Sequence, residues 1–210
     1  HFYTVVPEIF ESFLESQLTS QYPKIVITKV PEYLQNIIKS KHLAIGNLRL
    51  AFPYYYPIKT FKDFKEIDPL SSIIGVIYKL GPEEKALIQI IIEPPHFNWQ
   101  EGVQRMLSHG IPDPTPRAPE KTKPFPQARL IEDKINQTGF RCYIRLMIGA
   151  ENKSKAYSLL YNLAGAYGAF AFGEGNRLVF KRPRFIFKDF AFDKIIDRSK
   201  SHFPRKQILN

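Results

Sequence analysis

One cysteine, Cys142, stands alone in 210 residues, so no disulfide can close within the chain, and a reducing compartment suits it. No Gly-Lys-Ser or Gly-Lys-Thr occurs, which removes the loop whose glycine amides and lysine grip nucleotide phosphates. The nearest glycine cluster, Gly173-Glu174-Gly175-Asn176, sets an acid where phosphate would sit and reads as a turn. The five histidines are scattered, and none has the spacing to a second ligand that marks a metal site. The longest apolar run, Ala86 to Ile92, is interrupted by Gln89 and falls far short of the ~20 residues that span a bilayer. The start, His1 to Val6, has no basic region followed by a long apolar one, so it is no signal peptide and reads as a strand entered midway through a longer chain. These absences point to a soluble, non-catalytic module with no catalytic residues, no metal and no cofactor.

What is present suits a packed core. Hydrophobic residues make up 44% and charged residues 24%, the balance of an ordinary globular chain. The formal net charge of +10 is unevenly spread. Residues 1–93 hold ten Lys/Arg against ten Asp/Glu, whereas residues 177–206 hold ten against three. An anionic partner is therefore expected at the C-terminal end.

Phe2 to Val6 has strand character, and Pro7 precedes a helical stripe of Ile9, Phe10, Phe13, Leu14 and Leu18, with Glu8, Glu11 and Glu15 placed where the helix dipole favours acid. Lys24 to Val30 is β-branched and reads as a strand, as does Leu48 to Tyr56. Asp68-Pro69 supplies an N-cap and first-turn proline for a helix that Gly81-Pro82 closes, and Ala86 to Glu93 reads as a central strand covered on both faces. The fold expected is α/β (α+β): a ferredoxin-like βαββαβ-type sandwich over 1–93, a Pro-rich linker at 94–138 with a short helix near Trp99 to Leu107, and a second βαβ unit over 139–210. In that second unit Phe140 to Ile148 alternates as a strand, with Phe140, Cys142, Ile144, Leu146 and Ile148 on one face and Arg141, Tyr143 and Arg145 on the other. Asn152 then caps a helix whose stripe runs from Ala156 to Phe170, and Arg177 to Lys181 returns as a strand.

Few side chains are candidates for a site. Cys142 falls on the inward strand face, where a thiol is inert. Asp63, Glu66, Asp68, Glu83 and Glu84 sit in loop and cap positions. The run Tyr54-Tyr55-Tyr56 offers stacking surfaces near Lys59 and Lys62, or simply covers a sheet. The stronger candidate is the basic stretch, in which Arg177, Lys181, Arg182, Arg184 and Lys188 interleave with Phe180, Phe185, Phe187, Phe190 and Phe192. Cations alternating with aromatic rings can grip a phosphate backbone. A half-buried strand with solvated cations, or attraction to an anionic membrane surface, would leave the same pattern.

Several segments together carry a resemblance: Val6-Pro7, Gln17 to Pro23, Tyr56 to Phe64, Ile67 to Leu70, Ile88 to Ile92, Gly139-Phe140 and Ile144 to Leu146. They resemble the region preceding the motor in HerA-like and type IV secretion coupling-protein ATPases of small-genome bacteria, machines of conjugative DNA transfer. The resemblance implies an accessory domain of a homo-oligomeric DNA-translocating ATPase at the cytoplasmic face of the cell membrane. It implies DNA as partner, an ATPase motor C-terminal to Asn210 in the same chain, and membrane association through segments outside 1–210. It offers no catalytic residues to carry over. An alternative is a scaffold that docks secretion partners or neighbouring subunits without binding DNA.

Overall fold

A computed structural model of the chain describes residues 1–64, 68–95, 97–112, 122–183, 188–199 and 207–210. It divides into two compact units, His1–Gln35 and Asn36–Asn210, so the boundary lies elsewhere than the 93/94 and 138/139 positions expected.

The first unit contains helix α1 (Glu11–Gln21) after a 3-10 turn at Glu8–Phe10. Neither Phe2 to Val6 nor Lys24 to Val30 is a strand, because β-branched residues make a strand only when a neighbour completes the ladder of hydrogen bonds. Lys29 instead pairs with Glu11 at 2.9 Å, and the Tyr3 and Tyr33 rings stack at 4.1 Å. Of the apolar stripe, Ile9 and Phe10 of the turn and Phe13 of α1 are exposed, while Leu14 and Leu18 are half-buried.

The second unit opens with helix α2 (Gln35–Ile38), which begins on the boundary, and strand β1 (His42–Leu50). Helix α3 (Pro69–Tyr78) follows, with the Asp68 carboxylate accepting from the Leu70 N–H as its N-cap. Then come strand β2 (Lys85–Glu93), helix α4 (Trp99–His109), the two-residue strands β3 (Ile111–Pro112) and β4 (Thr122–Lys123), and helix α5 (Ala128–Ile135). Strand β5 (Phe140–Ala150), helix α6 (Lys153–Ala166), strand β6 (Leu178–Lys181), helix α7 (Lys188–Ile196) and strand β7 (Ile208–Leu209) complete it.

The sheet order is β2-β5-β1-β6, and the pairs β2·β5, β5·β1 and β1·β6 are all antiparallel. Counting only these four strands in chain order, the sheet reads 4-1-3-2. With α3 joining the first two and α6 the last two, this is the ferredoxin-like split βαβ arrangement. It spans 42–181 rather than 1–93, and the expected second βαβ unit is the other half of the same sandwich. β1 begins at His42 rather than Leu48, since Pro53 and the turns around it cannot hold a ladder. β2 is an edge strand rather than a central one, and Ile90 and Ile92 on it are exposed.

Strand alternation divides the core into two layers. On one face Ala44 and Leu48 of β1 and Ile144, Leu146 and Ile148 of β5 meet Ile73 of α3 and Leu160 and Leu163 of α6. On the other, Ile45 and Met147 meet Ile37 of α2 and Ile195 of α7.

The segment expected as a linker carries α4 and α5, whose Trp99, Val103, Ile131 and Ile135 build a separate core with Ile208 of β7. The spacing of its apolar residues outweighs its prolines, and Gly110, at φ 67°, ends α4 in a conformation that favours glycine. Because β2 occupies one side of Arg141, β7 lies on the other, beside β5 where β1 has left the sheet. Gly139 is where these parts touch. A methyl there would stand 2.6 Å from the Trp99 ring and 2.7 Å from Ile208, both buried. Gly139→Ala is expected to cost about 2 kcal/mol, read as a lower urea midpoint.

Candidate nucleic-acid interface

The edge strand β6 positions the basic candidates. Leu178 and Phe180 turn into the α6 core, so alternation sends Lys181 to the opposite face, paired in register with Asn47. Arg182, one residue further, lies against α6. Its guanidinium stands 4.0 Å from the Tyr157 ring centre and donates to the Tyr161 hydroxyl at 3.3 Å. Tyr161 in turn meets Phe180 edge-on at 5.3 Å. The hydrogen bond to Tyr161 raises the Arg182 pKa further. Arg177, at the other end of β6, sits 5.6 Å from the Phe52 ring. Arg177, Lys181 and Arg182 are all exposed. Arg184, Phe185 and Phe187 lie outside the described residues; Lys188 starts α7, and its side chain lies outside them too.

The backbone beneath Arg177 is fixed by Asn176, the last residue of the glycine-containing turn. Asn176 is 1% exposed, and its Oδ1 accepts from the Phe52 and Arg177 N–H groups, each at 2.9 Å. Its Nδ2 donates to the carbonyls of Phe52 at 3.1 Å and Pro53 at 3.0 Å. The Asn176 N–H also donates to the Pro57 carbonyl at 2.7 Å. One side chain thus ties the loop after β1 to the loop before β6.

The other basic residues are not all available to a partner. Arg145, placed by alternation on the face away from α6, is buried there. Its guanidinium donates to Gln89 Oε1 at 3.0 Å, to the Lys194 carbonyl at 2.7 Å and to the Ser199 carbonyl. It satisfies carbonyls at the C-terminal end of α7, where the helix dipole favours a cation, while burial pushes its pKa down. Lys134, 2% exposed, donates to the carbonyls of Tyr54 at 2.7 Å, Ile208 at 2.8 Å and, more weakly, Tyr56 at 3.4 Å. Burial pushes its ammonium down to about 7.

The tyrosine run is half-buried and covers a core. Tyr54, Tyr55 and Tyr56 pack against the Trp99 core, and Tyr54 meets Trp99 edge-on at 6.4 Å. Nearby, Lys62 lies 5.8 Å from the Phe61 ring. Cys142 is buried, and burial pushes its thiol up. Several candidate acids serve the backbone. Asp63 accepts from the Thr60 N–H at 2.7 Å, and Glu84 accepts from the Gly81 N–H at 2.9 Å and pairs with Lys155 at 3.1 Å. The Gly81 hydrogen bond holds the Glu84 carboxyl below its ordinary value. Glu66 lies outside the described residues. Among the described residues no group of three His, Cys, Asp or Glu could hold a metal ion, and no helix is long and apolar enough to cross a membrane.

Residues 1–177 match a family model described as Domain of unknown function (DUF8128). The matched span stops just before β6. No curated protein and no solved structure matches the chain.

Proposed function

The chain belongs to the DUF8128 family, and we propose that it is a non-enzymatic accessory domain of a membrane-associated DNA-translocating ATPase, one that guides DNA along its β6 edge. The observation that carries this reading is Arg182, exposed yet held by Tyr157 and Tyr161. A guanidinium already fixed in place loses little freedom when it grips a phosphate, and its plane suits two phosphate oxygens at once. Arg177 and Lys181 extend the cationic edge, and the sequence resemblance supplies the translocating motor, the homo-oligomer and the membrane anchor as parts outside this domain.

Such contacts exchange counterions for Lys and Arg without reading bases. Three phosphate contacts on duplex DNA give a salt exponent near ~2.7, so affinity falls roughly 40-fold between 50 and 200 mM salt. Fluorescence polarisation with single- and double-stranded DNA across a salt series measures this. The triple change Arg177→Glu, Lys181→Glu and Arg182→Glu is expected to remove most of the binding and flatten its salt dependence. Unchanged binding would move the site off β6.

A scaffold that docks secretion partners or neighbouring subunits is the second reading. It draws on the exposed apolar residues of the first unit, among them Ile9, Phe13 and Val26. Absence of DNA binding even at low salt would leave that reading standing.

A further inference from the structure

We propose that the outer edge of β2 pairs, antiparallel and about a two-fold axis at Gln89, with β2 of a second copy of this chain. β2 ends the sheet, and among the described residues no backbone hydrogen bond reaches its outer side. Proteins blunt such edges with short strands, prolines or charges. The opposite edge follows that rule: β6 is four residues long and ends on Lys181, followed by Arg182 and Pro183. β2 does not. It is nine residues long, has neither charge nor proline between Lys85 and Glu93, and leaves Ile90 54% and Ile92 62% exposed.

The inner ladder decides which groups face out. The Cys142 N–H donates to the Gln207 carbonyl at 3.1 Å, so the even-numbered residues of β5 bond away from β2, and Tyr143, Arg145 and Met147 bond towards it. Their register partners are Ile91, Gln89 and Leu87. The N–H and C=O groups of Ala86, Ile88, Ile90 and Ile92 therefore point outward, ready for another strand.

Register and charge identify that strand. Outward-facing residues must meet in each hydrogen-bonded pair, so the permitted registers differ by two residues. Centred on Gln89, the pairing uses the whole strand and sets Ile88 opposite Ile90 and Ala86 opposite Ile92 of the second copy. It also sets the only two charges, Lys85 and Glu93, opposite one another, which stabilises a ladder. A shift by two would put Lys85 against Ile91 in one direction and Glu93 against Leu87 in the other. Both charges have capacity to spare. Lys85 Nζ donates to the Asn36 carbonyl at 2.8 Å, using one of an ammonium's three protons, and Glu93 stands 3.9 Å from Arg141 with no hydrogen bond to its Oε2. The strand is thus self-complementary, as a two-fold contact requires. The pairing does not rest on the DNA-guiding reading, whose residues lie at the β6 edge.

Sedimentation velocity over about 10 µM to 1 mM tests it by mass action. The wild-type chain is expected to shift towards dimer as concentration rises. Ile90→Pro removes an outward N–H that makes no bond to β5, a place where an edge strand tolerates proline. It is expected to keep its fold by circular dichroism and to raise the dimer dissociation constant by roughly tenfold or more. Lys85→Glu, which sets acid against acid across the axis, is expected to weaken the dimer as well. Amide exchange in the wild type then locates the contact. In dilute solution Ile88 and Ile90 should exchange fast while Leu87, Gln89 and Ile91 are protected; at high concentration Ile88 and Ile90 should slow by roughly tenfold or more. A wild-type chain monomeric throughout, a dimer in which those two amides stay fast, or an Ile90→Pro variant that associates as the wild type does would overturn the proposal.

Discussion

Asn176→Ala is expected to lower the unfolding free energy by about 3–5 kcal/mol, read as a large drop in urea midpoint at unchanged slope. The side chain removed is almost wholly buried and holds two N–H groups and two carbonyls from separate loops. Alanine leaves the Phe52 N–H and the Phe52 and Pro53 carbonyls without this partner. Each unsatisfied buried group costs about 1–3 kcal/mol. Asn176→Asp separates the donor half of the interaction from the acceptor half. The carboxylate still accepts from Phe52 and Arg177 but presents negative oxygen to the two carbonyls that the amide had served. Its proton is therefore held more tightly in the folded state than in the unfolded one. Stability is then greatest below the ordinary aspartate pKa of ~3.9 and is lost as pH rises through the raised folded value. The two variants should differ least in neutral solution and most in acid. In the DNA-guiding reading, either change should also weaken binding, because Asn176 fixes the Arg177 backbone.

A second large effect concerns Lys134. Its ammonium, pushed by burial from 10.5 down to about 7, sheds its proton on folding anywhere between those values. The unfolded chain binds more protons in that window, so stability rises with pH from about 7 towards 10.5 and is lost again as pH falls back. A shift of that size would set a ceiling of about 5 kcal/mol. The three carbonyls facing Nζ favour the charged amine and bring the effect below that ceiling. Lys134→Met removes the titration and the hydrogen bonds together. At pH 9.5 the variant is expected to be about 2–4 kcal/mol less stable than the wild type, since the neutral amine still donates to buried carbonyls. At pH 6.5 the gap should narrow, because the wild type there carries a buried charge. Urea midpoints of both proteins across that range would show a rising wild-type curve and a flat variant curve; parallel curves would mean that Lys134 keeps its proton throughout.

Local chemistry was legible where a residue acts on its own neighbours. The Asp68-Pro69 helix start, the Asn152 cap and the alternation of β5 from Cys142 onward each depend on contacts a few positions away, and the structure has them where the pattern places them, whereas Phe140 at the start of the strand is exposed. β1 was misplaced because the aromatic run at Tyr54 to Tyr56 carries more strand propensity than His42 to Leu50, whose Gly46 and Asn47 weaken the pattern. Only the facing β5 and β6 decide in favour of the latter. The prolines of 94–138 left the helix near Trp99 legible but concealed α5 and the core the two helices share, for a related reason: Trp99, Val103, Ile131 and Ile135 have that core only once Ile208 arrives from the end of the chain. At the candidate site the cations themselves were evident. Their division between two faces followed from alternation along β6, but the rings that hold Arg182 belong to α6 and the clamp beneath Arg177 depends on Phe52 and Pro53. Nothing in the basic stretch itself announces either one.

The central position of β5 also orders the birth of the protein. β1 and β2 both hydrogen-bond to β5, and neither bonds to the other. A ribosome that has delivered everything up to Ile135 has therefore released two strands without a ladder, and β2 carries the exposed isoleucines Ile90 and Ile92. In a simple ferredoxin-like chain a tight hairpin would bring the third strand at once, whereas here α4 and α5 are synthesised first. Contacts so distant in sequence raise the contact order and slow the search for the sheet. Nascent chains stopped shortly before Phe140 should thus be open to proteases and chaperones across β1 and β2, and protection should arrive in one step when Ala150 clears the exit tunnel.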